Sequence, residues 1–178
     1  DDGSESGRRV VFVTVGTTSF DKLVGAVDSE DVKKALFERD YTHLVIQMGR
    51  GRYLPSKCGG EDGGSSISVD YFTFSSDIAE FLKSASLVIS HAGRSGSIFE
   101  TLRMRKPLIV VVNEDLMDNH QTELAEELAE RSHLFCARPH TLCETISSLH
   151  LDSLVPYEPG DAKPVAKVIN RFLGFTDE

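Results

Sequence analysis

The sequence has little of what announces most other functions. Its three cysteines, Cys58, Cys136 and Cys143, are odd in number and form no C-x-x-C pair. This argues against a disulfide framework and a zinc knuckle, and it fits a reducing compartment. No window approaches the roughly 18 apolar residues of a membrane-spanning helix, so work at a membrane would depend on an anchor supplied by something else. No Lys/Arg stripe is present, and 28 acidic residues outnumber 19 basic ones, giving a formal net charge of −9; nucleic acid is therefore not an expected partner. Walker A is missing, and neither glycine loop completes G-x-G-x-x-G. Gly93-Arg-Ser-Gly-Ser97 fails as a nucleophile elbow because its fifth position is Ser97 rather than glycine. There is no H-E-x-x-H and no D-x-D to bridge a metal to a diphosphate. Metal-independent chemistry without a cofactor is the expectation that remains.

What is present reads as one soluble domain in 178 residues, 40% of them hydrophobic and 26% charged. Residues 1–9 are polar with no h-region, and a flexible terminus is expected there. Val10-Val-Phe-Val-Thr-Val15 is a β-branched run. A helix capped by a hydroxyl at Thr18 or Ser19 is expected after it, burying Phe20, Leu23, Val24 and Val27. A second helix, Glu30 to Arg39, takes Ser29 as cap and turns Val32, Ala35 and Leu36 inward. His43 to Met48 is a strand, and the Gly- and Ser-rich stretch 52–66 is a loop. Ile67 to Phe74 is a strand, and Ser75-Ser76-Asp77 caps a helix carrying Ile78, Phe81 and Leu82. Leu87 to Ser90 is a strand, with a helix from Ser97 to Arg105. Leu108 to Val112 is a strand, Asn119 to Arg131 a helix, Leu134 to Ala137 a short strand, and Pro139 to Leu149 helical. A last helix covers about 163–173. Strands separated by helices imply βαβ crossovers, hence an α/β fold with an open, Rossmann-like parallel sheet and helices on both faces.

In such a sheet the loops leaving the strands open on one edge. Here they are Gly16-Thr17-Thr18, Gln47-Met-Gly49, Phe74-Ser75, His91 to Ser97 and Asn113 to Gln121. Glycines, small hydroxyl residues and a helix N-terminus at one spot attract phosphate. Glu100 is placed to accept from a ribose hydroxyl, and amides with His120 to read a sugar, which points to a nucleotide-sugar site.

Five segments carry a resemblance: Phe-Val-Thr-Val-Gly-Thr-Thr (12–18), Ile-Ser-His-Ala-Gly (89–93), the helix start from Ser97 to Glu100, Lys-Pro-Leu-Ile-Val-Val-Val-Asn (106–113) and Leu-Met-Asp-Asn-His-Gln (116–121). Together they resemble the catalytic subunit of the two-subunit UDP-N-acetylglucosamine transferase of dolichol-linked N-glycan assembly. In this they are similar to glycosyltransferase family 28 C-terminal domains. The likeness runs from Val10 to Phe175, and more distantly the chain resembles the donor-binding half of the two-domain GT-B enzyme that makes lipid II. One departure falls at the phosphate loop, where His91-Ala-Gly-Arg-Ser-Gly-Ser97 is one residue longer than the family's His-Ala-Gly-x-Gly-Ser. Arg94 there either pairs with phosphate or points to solvent.

Beyond the disordered segment 1–9 read from composition, the resemblance implies a nucleotide-sugar-binding domain 10–160 and a C-terminal helix 161–178 that docks the partner, the alternative being an ordinary core-packing helix. It implies transfer of GlcNAc from UDP-GlcNAc to GlcNAc-diphosphate-dolichol, by inversion and without metal. The partner is a membrane-anchored subunit holding the acceptor, so that a cytoplasmic chain works at the cytosolic face of the endoplasmic reticulum. Gly93, Gly96 and Ser97 are expected at the diphosphate through their N–H groups, the alternative being a tight turn. Gly16, Thr17 and Thr18 face the same phosphates or cap the first helix. Phe74 and Ser75 align with the segment whose main chain holds uracil. Glu100 takes the ribose, or is a surface residue; Asn119, His120 and Gln121 take the donor sugar, or Asn119 caps its helix. His91 shapes the loop or contacts the diphosphate. It is this chain's candidate for the general base, a role the partner can equally supply. Two other readings stay open: a non-catalytic nucleotide-sugar-binding or regulatory module, and a free-standing enzyme acting on another nucleotide.

Overall fold

The computed structural model describes residues 9–15, 20–52, 67–74, 78–91, 95–113 and 120–156, with side chains at all of these except 95–97 and 120–121. Six strands lie among them: β1 (Val10–Thr14), β2 (His43–Gln47), β3 (Ser68–Phe72), β4 (Leu87–His91), β5 (Leu108–Val111) and β6 (Phe135–Ala137). The helices are α1 (Asp21–Val27), α2 (Glu30–Glu38), α3 (Ile78–Ser84), α4 (Ser95–Arg103), α5 (His120–Glu130) and α6 (Leu142–Ser147). All strand pairs are parallel, in the order β3-β2-β1-β4-β5-β6. This is the doubly wound, Rossmann-like arrangement expected from the alternation of strand and helix patterns.

Strands β1, β4 and β5 are near-continuous apolar runs because both faces of the sheet are covered there. Alternate residues therefore belong to different cores. Val11, Val13, Leu44, Ile46, Ile89 and Val111 join a core closed by α1, α2 and α6. Phe12, Val88, Leu108 and Val110 join another, closed by α3, α4 and α5. Helix α3 is set onto the second face by aromatic packing: Phe81 stacks on Phe12 at 5.3 Å and on Phe72 at 4.9 Å between ring centroids. Ser29 caps α2 as expected, accepting from the Val32 N–H at 3.2 Å. Arg39, just past the end of α2, donates to the carbonyls of Ile146 (3.1 Å) and Ser147 (3.2 Å), the last acceptors of α6, and of Leu149 (2.5 Å) just beyond it.

Three helix ends share one geometry that lacks its usual residue. After α2, α4 and α5 the chain turns through Asp40, Arg105 and Ser132 at φ of 72°, 60° and 65°. Their N–H groups bond Phe37, Leu102 and Ala129, while those of Tyr41, Lys106 and His133 reach back to Leu36, Thr101 and Leu128. These are Schellman motifs with no glycine at the left-handed position.

Helix starts differ most from the sequence reading. Helix α1 begins at Asp21 with Phe20 as N-cap and no side-chain cap bond, in place of a hydroxyl cap at Thr18 or Ser19. Burial sets this start, since Phe20 is 3% exposed and anchors the helix, while Asp21 puts a carboxylate in the first turn. Helix α4 begins at Ser95, two residues before the expected Ser97; Ile98, Phe99 and Leu102 fix its inward face, and the small residues before them permit the earlier start. The helical stretch from Pro139 is a 3-10 turn, Pro139–Thr141, followed by α6. The 52–66 loop, apart from Arg52, the 75–77 cap and the 163–173 helix lie outside the described residues.

Candidate functional site

The strand order reverses between β1 and β4, the two central strands, and a crevice opens at their carboxyl ends. Register places the expected loops around it. Thr14 lies opposite Ser90 on β4 and Gln47 on β2, and His91 lies opposite Val111 on β5. The segments 16–18 and 92–97 thus leave adjacent strands. Helices α4 and α5, entered from β4 and β5, both direct their N-termini to this edge, where the N–H groups of their first turns lack partners within the helix. Gly96 and Ser97 are in the first turn of α4 and His120 and Gln121 in that of α5, both at this edge. Glu100 follows in the second turn of α4, half-buried. Phe74 stands beyond β3, two strands from β1 and so about 10 Å across the sheet, and is 52% exposed. Gly16, Thr17, Thr18, Ser75, Gly93 and Asn119 lie outside the described residues.

His91 is 6% exposed at the end of β4, and its ring packs against Phe20 at 4.7 Å between centroids with a 59° tilt. Burial pulls its pKa below the ordinary histidine value, and a hydrogen bond with the Val15 backbone partly opposes this. The imidazole is therefore neutral at pH 7. That suits a residue joining the ends of β1 and β4 to α1.

Polar residues that the sequence reading gave no role lie directly under the crevice. Gln47, Thr14 and Ser90 occupy one register row across β2, β1 and β4, each buried. The Thr14 hydroxyl donates to Gln47 Oε1 at 2.5 Å, Gln47 Nε2 donates to the Thr73 carbonyl at 2.8 Å, and Ser90 Oγ donates to the His91 carbonyl at 3.1 Å. Their signal in the sequence is a polar residue near the end of each of three otherwise apolar runs. Beside them the loop after β2 is held down: Asp21 accepts the Arg52 N–H at 3.1 and 3.2 Å, and a Cβ at Gly51 would collide with that carboxylate. Gly49, at φ 63°, makes the turn.

Among the described residues no group of three or more His, Cys, Asp or Glu side chains is placed to hold a metal ion, and no helix is long and apolar enough to cross a membrane. An open groove of about 200 Å³, lined by Leu102, Pro107, Leu154 and Pro156 among others, lies at the opposite edge of the sheet, away from the crevice.

Comparison with known proteins brings in a family. Residues 10–172 match the glycosyltransferase family 28 C-terminal domain. The chain is 40% identical over 158 residues to the UDP-N-acetylglucosamine transferase subunit ALG13 of Homo sapiens, covering 89% of this chain and 12% of that protein. The mouse (Mus musculus) protein of the same name is 45% identical over 152 residues, again 12% of its length, so the chain spans about an eighth of these two relatives. The Saccharomyces cerevisiae ALG13 subunit is 34% identical over 74% of this chain and 78% of its own. The solution structure of an ALG13 superposes with a TM-score of 0.67 at 28% identity, covering 92% of this chain and 96% of that one. MurG of Acinetobacter baumannii, at 15% identity and a TM-score of 0.58, matches 95% of this chain with 46% of its own, a likeness of fold.

Proposed function

From a chain that belongs to the glycosyltransferase family 28 C-terminal domain family, and within it to the family of the ALG13 transferase subunits, we propose the donor-binding subunit of a transferase that moves GlcNAc from UDP-GlcNAc to GlcNAc-diphosphate-dolichol. The observation carrying this is the convergence of the first turns of α4 and α5 with the ends of β1 and β4 at the reversal of strand order. An anion is stabilised there by helix N-termini, and a nucleotide sugar presents a diphosphate.

The diphosphate lies against the N–H groups of Gly93, Gly96 and Ser97, with Gly16, Thr17 and Thr18 on its other side. Uracil extends toward Phe74 and Ser75, Glu100 accepts from the ribose, and Asn119, His120 and Gln121 hold the GlcNAc. The acceptor hydroxyl attacks the anomeric carbon from the face opposite UDP, the bond to the β-phosphate oxygen breaks, and configuration inverts. Charge growing on UDP is met by N–H groups already in place, without a metal. Neutral His91 shapes the loop. The proton of the acceptor hydroxyl goes to a base on a membrane-anchored partner subunit, which also carries the dolichol-linked acceptor. The 161–178 segment docks this chain to that partner at the cytosolic face of the endoplasmic reticulum, 10–160 forming the donor domain.

The test is reconstitution with the membrane-anchored subunit, with and without Glu100→Ala or Gln121→Ala. The chain alone binds UDP weakly and transfers almost nothing; the complex transfers GlcNAc; each variant loses donor affinity and at least tenfold in kcat/KM, the loss of about one hydrogen bond to the transition state. Full turnover by the isolated chain overturns the two-subunit reading. UDP binding without transfer in the complex favours a regulatory module, and variants with wild-type donor affinity overturn the site.

A further inference from the structure

The register row beneath the crevice links two strand ends that a nucleotide would touch at different points. Gln47 is 3% exposed and Thr14 4% exposed, so their polar groups are held in an apolar surround where each must be partnered. The Gln47 side chain spans its neighbours: Oε1 accepts from Thr14 on β1, and Nε2 donates to the Thr73 carbonyl just beyond β3. The amide's orientation follows from having a donor on one side and an acceptor on the other. The Thr73 carbonyl also accepts the Gly49 N–H at 3.0 Å, which occupies both of its lone-pair directions, and Met48 N–H bonds the Phe72 carbonyl at 2.8 Å. The main chain entering Phe74 is pinned from below by three bonds. Phe74 itself is 52% exposed at the same edge.

We infer that Gln47 is a positioning residue for base recognition: it fixes the 73–74 main chain so that its polar groups read the edge of a pyrimidine while the Phe74 ring offers a stacking face. Every base has a π face, so stacking on Phe74 binds without choosing. Discrimination requires main-chain groups held still, and the Gln47 amide holds them. The inference rests on the nucleotide-sugar reading above and adds to it the residue that sets base selectivity. Through Thr14 the same amide also ties the β1 end, which leads to 16–18, to the base end of the site.

The experiment titrates the full chain, wild type and variants, with UDP and CDP, and records thermal midpoints alongside. Wild type prefers UDP to CDP. Gln47→Leu, which keeps volume and removes both bonds, weakens UDP about tenfold, the worth of one hydrogen bond, and CDP much less, so the preference collapses. Thr14→Val shifts the ratio in the same direction by a smaller factor, and it carries the test if Gln47→Leu does not fold. Thr14→Ser keeps the donor hydroxyl and the wild-type ratio. If Gln47→Leu or Thr14→Val loses thermal stability but keeps the UDP-to-CDP ratio, or leaves UDP affinity unchanged, the inference is overturned. Failure of the wild-type chain to bind UDP, alone or with its partner, overturns the parent reading and this one with it.

Discussion

At the scale of single residues, two buried polar side chains set how the molecule responds to its conditions. His91 has its pKa lowered by burial, so below the ordinary value of about 6.5 the unfolded chain takes up the proton more readily than the folded one. Its share of stability is complete above about pH 6.5 and falls as the pH drops below that value. Urea midpoints measured from pH 8 to pH 5 will decline in the wild type, and His91→Gln will lack that part of the decline. Lys33 is the second case. It stands on α2 where an exposed lysine is ordinary, yet it is 1% exposed and pairs with Asp28 at 3.3 Å, Glu30 lying 3.9 Å away at the surface. Lys33→Met strands the Asp28 carboxylate and will cost about 3 kcal/mol in denaturant unfolding, with Asp28→Asn in the same chain recovering much of it. Neither residue announces its burial in sequence. A histidine ending a strand and a lysine in a helix are each common on surfaces; in the fold Phe20 packs against one and Asp28 pairs with the other.

At the scale of elements, strands were legible, while the starts of α1 and α4 were not. A parallel strand covered on both faces needs an apolar residue at every position, so Val10–Thr14 and Leu108–Val111 stand out from their surroundings. A helix start depends on which nearby residue finds a core. Phe20 finds one, and this overrides the hydroxyl preference that favours Thr18 or Ser19. Helix ends were obscure for a related reason, because Asp40, Arg105 and Ser132 occupy positions where glycine is the usual signal. The same fact gives a prediction. Asp40→Gly and Ser132→Gly each relieve a left-handed conformation at a site with a complete bond pattern, and each should stabilise by about 0.5–1 kcal/mol, the steric relief exceeding the added chain entropy. An unchanged or lowered thermal midpoint would show that the side chains at these turns contribute more than their backbone angles cost. At the site, the five strand-end loops were legible as a set because the parallel topology sends them to one edge. The Gln47–Thr14–Ser90 row was not, since one polar residue at the end of an apolar run gives no hint that its neighbours in space are polar too.

At the scale of the whole molecule, one sheet serves two cores, and every strand lends side chains to both. Damage to either core therefore weakens the surface on which the other is built. Leu36→Ala in the first core and Ile98→Ala in the second, both fully buried, should each cost about 2–5 kcal/mol. Each should lower a single shared transition, seen alike by far-UV circular dichroism and by NMR methyl signals. Two separable transitions would mean the faces unfold independently. The switch-point crevice lies between the two central strands, so its geometry inherits the rigidity of both cores.

The placement of β1 has a consequence in time. β1, the first of the described strands, is central in the sheet, and its two partners come later, β4 from about seventy residues downstream. At 5–20 residues per second, that interval lasts about 4–15 s on the ribosome. During it Val10–Thr14, apolar on both faces, has one edge with nothing to pair with. The crevice where a ligand would sit therefore cannot exist before β4 is made, and a nascent chain halted short of β4 has no site and presents an open strand edge.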